Sequence, residues 1–147
     1  MALHAYTLEN PPLYAEFNKA VRTQNRQYKT KQFKFYALNF LLTMALCSLK
    51  SKAKECITTY WRTKSKYKTA VNKEIRFGAF TSSSVGSYPS ITFGDQLCFE
   101  ISTCFGAEIS QFSRFESEKE VLIPPYEVFK ITNEKFPEEF TSMQSCL

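Results

Sequence analysis

The stretch KSKAKECITTYW, Lys50 to Trp61, divides the chain into two textures. Lys50 to Lys54 is a polar break. From Cys56 the composition changes, and Ile57 to Trp61 is β-branched and aromatic, as a strand requires. Upstream, Pro11-Pro12 can open a helix, and Leu13, Tyr14, Phe17, Ala20 and Val21 then recur at helical spacing, which predicts an amphipathic helix over 12–24. Thr30 is expected to cap a second helix that runs to about Ser48 and is apolar around most of its circumference, hence deeply buried. The longest apolar run, Phe33 to Leu49, has 17 residues and contains Lys34, Asn39 and Thr43, so it reads as a core helix and not as a membrane span. Downstream, strands are predicted at Glu74–Phe80, Gln96–Ser102 and Ala107–Ile109. Glu120–Ile123 and Glu127–Ile131 are expected to make a pair bent at Pro124-Pro125. Thr63–Lys73 and Ser82–Ser90 read as loops. Helices first and strands afterwards make the fold class α+β.

With 147 residues, 44% of them hydrophobic, and 14 Phe and 8 Tyr, one packed domain over 1–147 is expected. Charge is uneven. Residues 1–75 hold 14 Lys+Arg against 4 Asp+Glu, and residues 76–147 hold 5 against 10. Most of the lysines fall in turns and helix ends, so they read as solvated faces and no nucleic acid is expected as a partner. Several chemistries are disfavoured. Only 4 glycines are present and no phosphate-binding glycine loop appears. His4 is the single histidine and no GxSxG elbow exists, which argues against a serine triad. No CxxC or HExxH spacing occurs, so no metal is expected. The five cysteines (Cys47, Cys56, Cys98, Cys104 and Cys146) allow one or two disulfides or a set of free thiols. Met1 to Asn10 has neither a basic nor an apolar signal-peptide region.

The polar residues on these strands form a candidate site. In EKEVLIPP, residues 118–125, Glu118 and Glu120 stand two apart. On an extended chain they would point to one place, where like charges oppose each other's ionisation. Arg62 ends the first strand and Ser82 follows Glu74–Phe80. An arginine can fork onto a phosphate, a hydroxyl can orient a carboxylate, and a carboxylate can stabilise a developing oxocarbenium ion. A glycosidase built on the Glu118/Glu120 pair has no further support, because same-strand placement is unusual for that task.

The segments ALHAYT (2–7), LYAEFNKAV (13–21), FLLTMAL (40–46), RFGAFTSSS (76–84) and FSRFESEKEVLIPPYEVFKI (112–131) resemble the vertebrate-type arginine-specific mono-ADP-ribosyltransferases of the Arg-Ser-Glu class. The resemblance covers nearly all of the chain up to about Ile131. It implies N-terminal helices (about 1–55) followed by a mostly antiparallel, mixed β core that is catalytic (about 56–135), with a tail at 136–147. It implies transfer of ADP-ribose from NAD, or NADP, to arginine side chains of a protein acceptor, with nicotinamide released. Arg62 would hold a phosphate of NAD, and Ser82, first of the S-x-S serines, would brace the catalytic Glu120. Glu118 would engage the acceptor guanidinium. Phe112–Ser117, with Ser113, and Tyr6 would lie near the dinucleotide. A Cys56–Cys104 disulfide, a monomeric state and an extracellular or cell-surface location are implied as well. The family usually has a small residue after the arginine, where this chain has Thr63. Against the family pattern the chain reads as shortened at both ends, without signal peptide or anchor signal. The other reading is a weak or inactive relative that serves as a binding module.

Overall fold

The computed structural model describes residues 2–7, 11–64, 68, 70–86, 97–113, 119–135 and 140–145. Glu118, Gln96, Ser87–Ser90, Arg114–Ser117 and Cys146 lie outside them. Helices α1 (Ala2–Thr7), α2 (Pro11–Thr23), α3 (Asn25–Lys29) and α4 (Tyr36–Lys50) precede strands β1 (Ile57–Thr63), β2 (Glu74–Ile75), β3 (Thr81–Val85), β4 (Leu97–Thr103), β5 (Ala107–Glu108), β6 (Glu120–Ile123), β7 (Phe129–Lys135) and β8 (Phe140–Ser145). Among the described residues these strands form one sheet in the order β2-β7-β8-β4-β1-β3-β6-β5. The β4–β8 pairing is parallel and the others are antiparallel. The α+β class with a mostly antiparallel, mixed core therefore holds.

Strand β6 explains how the sheet acquires two cores. Leu122 joins Leu3, Tyr6, Phe17, Leu42, Leu46, Phe80, Ala107 and Ile109 beneath the helices. Its neighbours Val121 and Ile123 join Phe99, Ile101, Phe129 and Ile131 on the other face. A strand buried on both faces must be apolar at every position, which is why EVLI shows no alternation. Ring packing fixes both layers. Phe17 stacks on Phe80 at 5.7 Å under the helices, and Trp61 meets Phe77 at 4.9 Å and Phe99 at 5.4 Å across the sheet.

Four expectations need correction. The second helix does not start at Thr30. The Thr30 hydroxyl instead lies 3.3 Å from the Arg26 carbonyl and 3.2 Å from that of Gln27, closing the C-terminus of α3. Lys31 then turns the chain at φ 60° and α4 begins at Tyr36. The strand expected at Glu74–Phe80 covers only Glu74–Ile75, because Gly78 at φ 72° breaks it. The next strand occupies Thr81–Val85, inside the stretch read as a loop from Ser82. Hydroxyls made these residues look like a turn, but in the sheet the Thr59 hydroxyl donates to Ser83 Oγ at 2.7 Å and Ser83 donates to the Val121 carbonyl at 3.1 Å. The buried Ser83 hydroxyl is satisfied, and Ser82 and Ser84 keep partial exposure, so the strand tolerates them. Finally, β6 does not pair with β7: the chain turns away at Pro124-Pro125 and β6 lies between β3 and β5. Helix α1 and strand β8 were not anticipated.

A disulfide joins Cys56 to Cys104 where the β1–β4 ladder ends at Ile57 opposite Thr103. Beside it Glu127, 1% exposed, accepts from Thr103 Oγ1 at 2.5 Å and from the backbone N–H groups of Cys104 at 2.7 Å and Phe105 at 3.2 Å. Glu127→Ala would strand these buried donors and is expected to lower unfolding free energy by about 3 kcal/mol, with Glu127→Gln milder because it keeps one acceptor. Urea denaturation measures both. Equal stability of Glu127→Ala and the parent would show that the carboxylate is not what holds this corner.

Candidate active site

The adjacency of β1, β3 and β6 brings together residues that are 58 positions apart in the chain. Tyr60 stands opposite Ser84, and Ser84 stands opposite Glu120. Arg62 lies two residues from Tyr60 on β1, and Ser82 two residues from Ser84 on β3. Alternation therefore puts Tyr60, Arg62, Ser82, Ser84 and Glu120 on one face. Leu122, opposite Ser82, shares that face and sits in the core under the helices. Cover is complete over Leu122 and Phe80 and partial over Ser82, Ser84 and Glu120, which are half-buried. The face thus passes from a dry floor to an open polar row, where the Glu120 carboxylate keeps access to a ligand.

Arg62 sits opposite Cys98 of β4 in unbroken ladder, and Thr63 after it continues the strand opposite Leu97. A β-branched residue suits that extended position, so the departure from the family's small residue is absorbed by strand geometry. Trp61, immediately before Arg62, projects to the other face and is held by Phe77 and Phe99. This packing fixes the direction in which Arg62 leaves the strand.

The pairing of the two glutamates needs revision. Lys119, between them, has φ 44°, in the left-handed region, and β6 begins only at Glu120. The same-face argument for residues two apart requires an extended middle residue, so it does not apply here. The carbonyl of Lys119 accepts from Val85 N–H at 3.2 Å and that of Glu120 from Ile109 N–H at 2.9 Å. Glu120 is thus bracketed by strand β3 on one side and the end of β5 on the other. The strain at Lys119 is of the kind that persists where surrounding structure over-determines it.

Ser113 is buried, its N–H donating to the Ile109 carbonyl at 3.0 Å at the end of a 3₁₀ turn over Ser110–Phe112. Tyr6 is 4% exposed and packed against Tyr14, Phe17 and Phe80, and its hydroxyl donates to the Phe80 carbonyl at 3.2 Å and accepts from Asn18 Nδ2 at 3.3 Å. It offers no open ring face to a nucleotide, and it supports the floor of the site instead. Burial first, then the Tyr14 phenol and lastly the Glu120 carboxylate, hold its phenol well above the ordinary value, against the opposing hydrogen bond from Asn18. The unfolded chain loses this proton near pH 10 while the folded chain keeps it, so the unfolded state binds fewer protons there. Stability is therefore present below about pH 10 and expected to fall above it. In Tyr6→Phe the alkaline slope of unfolding free energy should be shallower, as chemical denaturation between pH 9 and 11 would measure.

The residues missed in the sequence were Ser84, which faces Glu120 directly, and the Thr59–Ser83 pair behind it. The three-serine run contained the signal, since alternation sends its middle member to the opposite face.

A family model described as NAD:arginine ADP-ribosyltransferase matches residues 1–144. The chain belongs to this family. It is 40% identical over 136 residues to the Gallus gallus protein named NAD(P)(+)--arginine ADP-ribosyltransferase 2, covering 90% of this chain and 43% of that protein. It is 39% identical over 142 residues to the Mus musculus GPI-linked NAD(P)(+)--arginine ADP-ribosyltransferase 1, covering 93% and 43%. The crystal structure of the eukaryotic mono-ADP-ribosyltransferase ART2.2 matches with a TM-score of 0.79 at 32% identity, covering 98% of this chain and 63% of that one. A variant of ART2.2 in complex with NAD matches with a TM-score of 0.78 at 33% identity, covering 98% and 63%. The chain spans less than half the length of these two curated relatives. As an ADP-ribosyltransferase by family, it carries the ART2.2 type of fold from its helices through its sheet.

Proposed function

We propose that this chain forms one ADP-ribosyltransferase unit over 1–147 and transfers ADP-ribose from NAD to arginine side chains of an acceptor protein. The observation that carries this reading is the common face of Arg62, Ser82 and Glu120 on three neighbouring strands, in a family whose relatives are named for that reaction. Arg62 supplies a planar, permanently charged fork for the pyrophosphate. The bond between the ribose anomeric carbon and the nicotinamide nitrogen breaks, and its electron pair leaves with nicotinamide. Glu120 stabilises the positive charge left on the ribose, and Ser82 and Ser84, on the neighbouring strand, orient the carboxylate. An arginine nitrogen then bonds to the anomeric carbon and sheds a proton, for which Glu118 is the base and the acceptor-binding carboxylate. Ser113, held at the end of its turn, lies at the dinucleotide's edge. NADP is an alternative donor, as the relatives' names suggest. The GPI-linked name of the Mus musculus relative supports an extracellular or cell-surface location for this protein, and we take it to act as a monomer.

Incubation with NAD and an arginine peptide, followed by mass spectrometry and nicotinamide measurement, tests the reaction. An ADP-ribose mass added to the peptide is expected. Glu118→Gln should keep nicotinamide release within a few-fold while losing transfer to the peptide by about 10²-fold or more, the scale of lost general-base assistance. No mass shift and no nicotinamide from the parent chain would leave the fold as a binding module.

A further inference from the structure

Beyond the far end of β3 and β6 from Glu120 lies a cleft of about 660 Å³ that the reaction above does not use. Two guanidinium groups line it, Arg22 from the last turn of α2 and Arg76 from the segment between β2 and β3. Among the described residues neither makes a salt bridge, and no Asp or Glu lines the cleft. Arg22 is seated over bare backbone: Gly78 has φ +72°, and a Cβ there would come 3.7 Å from Arg22 Cγ. Asn39, in α4, also lines the cleft, and its Oδ1 is buried with no hydrogen-bond partner among the described residues. A buried acceptor left unpaired is costly, and an N–H donor brought by a ligand would remove that cost. Tyr28 and Tyr126 add aromatic surface, 40% and 43% exposed. Tyr28 is held as a platform by stacking on Tyr36 at 5.1 Å. The Tyr126 phenol is pushed up to about 12 by burial, then by the Cys47 thiol and Glu127, so it stays neutral and able to donate to an anion.

We propose that this cleft binds a nucleoside phosphate whose base carries an exocyclic amine, at a site separate from the reacting face. Its volume falls in the range of small-molecule sites, roughly 300–1,000 Å³, and exceeds what an inorganic anion fills. Arg22 and Arg76 take the phosphate, where forked guanidinium contacts are strong. The base lies against Tyr28 or Tyr126 and gives its amine hydrogen to Asn39 Oδ1. Strand β6 from Glu120 to Ile123 spans about 10 Å, and Pro125 of the cleft lies beyond it, so the cleft and the Glu120 carboxylate stand at opposite ends of this strand.

The test is titration calorimetry with adenosine monophosphate, adenosine and inorganic phosphate. The full chain is used in an Arg62→Gln/Glu120→Gln background, so that the reacting face contributes nothing. Adenosine monophosphate is expected to bind once per chain, at least tenfold more tightly than either adenosine or phosphate. Adding Arg22→Gln and Arg76→Gln should weaken it about 100-fold, and Asn39→Leu about tenfold. Absence of binding at millimolar nucleotide, equal affinity for phosphate alone, or no response to the arginine substitutions would each overturn the proposal. The arginines are exposed, and circular dichroism checks that their variants fold. Binding is read without turnover, so failure of this site and failure of the proposed reaction are told apart.

Discussion

Glu120→Gln is expected to reduce nicotinamide release by about 10²–10³-fold, the range seen when one group stabilising transition-state charge is removed, or roughly 2.7–4 kcal/mol of barrier. The substitution preserves size and one acceptor oxygen, turns the other oxygen into an amide donor, and removes the negative charge. Glu120 is half-buried at the start of β6, and its backbone carbonyl is held by Ile109 N–H at 2.9 Å. The variant should therefore fold like the parent, and any loss should appear in kcat and not in KM for NAD. Binding energy from Arg62 remains in place, so NAD should still saturate the variant at a similar concentration. Single-turnover nicotinamide release with parallel NAD titration separates the two quantities. A variant as fast as the parent would remove Glu120 from the chemistry and with it the role assigned to the shared face.

Replacing both Cys56 and Cys104 by Ala is expected to cost about 4 kcal/mol, from the chain entropy restored to the unfolded state by opening a loop with a sequence separation of 48 residues. For a domain of this size that corresponds to a fall in Tm of roughly 10 °C or more. Differential scanning calorimetry measures it, and dithiothreitol should lower the parent toward the variant while leaving the variant unmoved. A shift of less than about 2 °C would mean that Glu127 and the β1–β4 ladder hold this corner without the bridge. The two devices meet at Cys104, whose N–H donates to Glu127 at 2.7 Å. Losses from Glu127→Ala and from the cysteine pair should therefore not add.

Much of this architecture was legible in the chain. The order of helices and strands gave the α+β class, because α2, β1, β4 and β6 carry their own periodicity or apolar runs. The errors arose where tertiary partners outweigh local pattern. Thr81–Val85 looks like a turn in isolation, and only the neighbours Thr59 and Val121 explain three consecutive serines in a central strand. Glu127 stood out only as the first residue of a predicted strand, and its burial depends on the Thr103 hydroxyl and two backbone N–H groups, 22 to 24 residues away. Arg62, Ser82 and Glu120 could be picked out by residue type and family resemblance, but their common face follows from the strand order β1-β3-β6, which no local window contains. Lys119 shows the opposite limit: an alternation rule was applied across a residue whose backbone is left-handed.

Strand β8 is the last described element to leave the ribosome, yet it sits between β7 and β4. Until residues 140–145 emerge, the β2–β7 ribbon has no hydrogen-bonded seam to the rest of the sheet, and β4 presents a bare edge. The nascent protein therefore passes through an interval in which it is exposed to intermolecular strand capture. That interval would be the one most responsive to chaperone supply and to the pace at which residues 140–145 are translated.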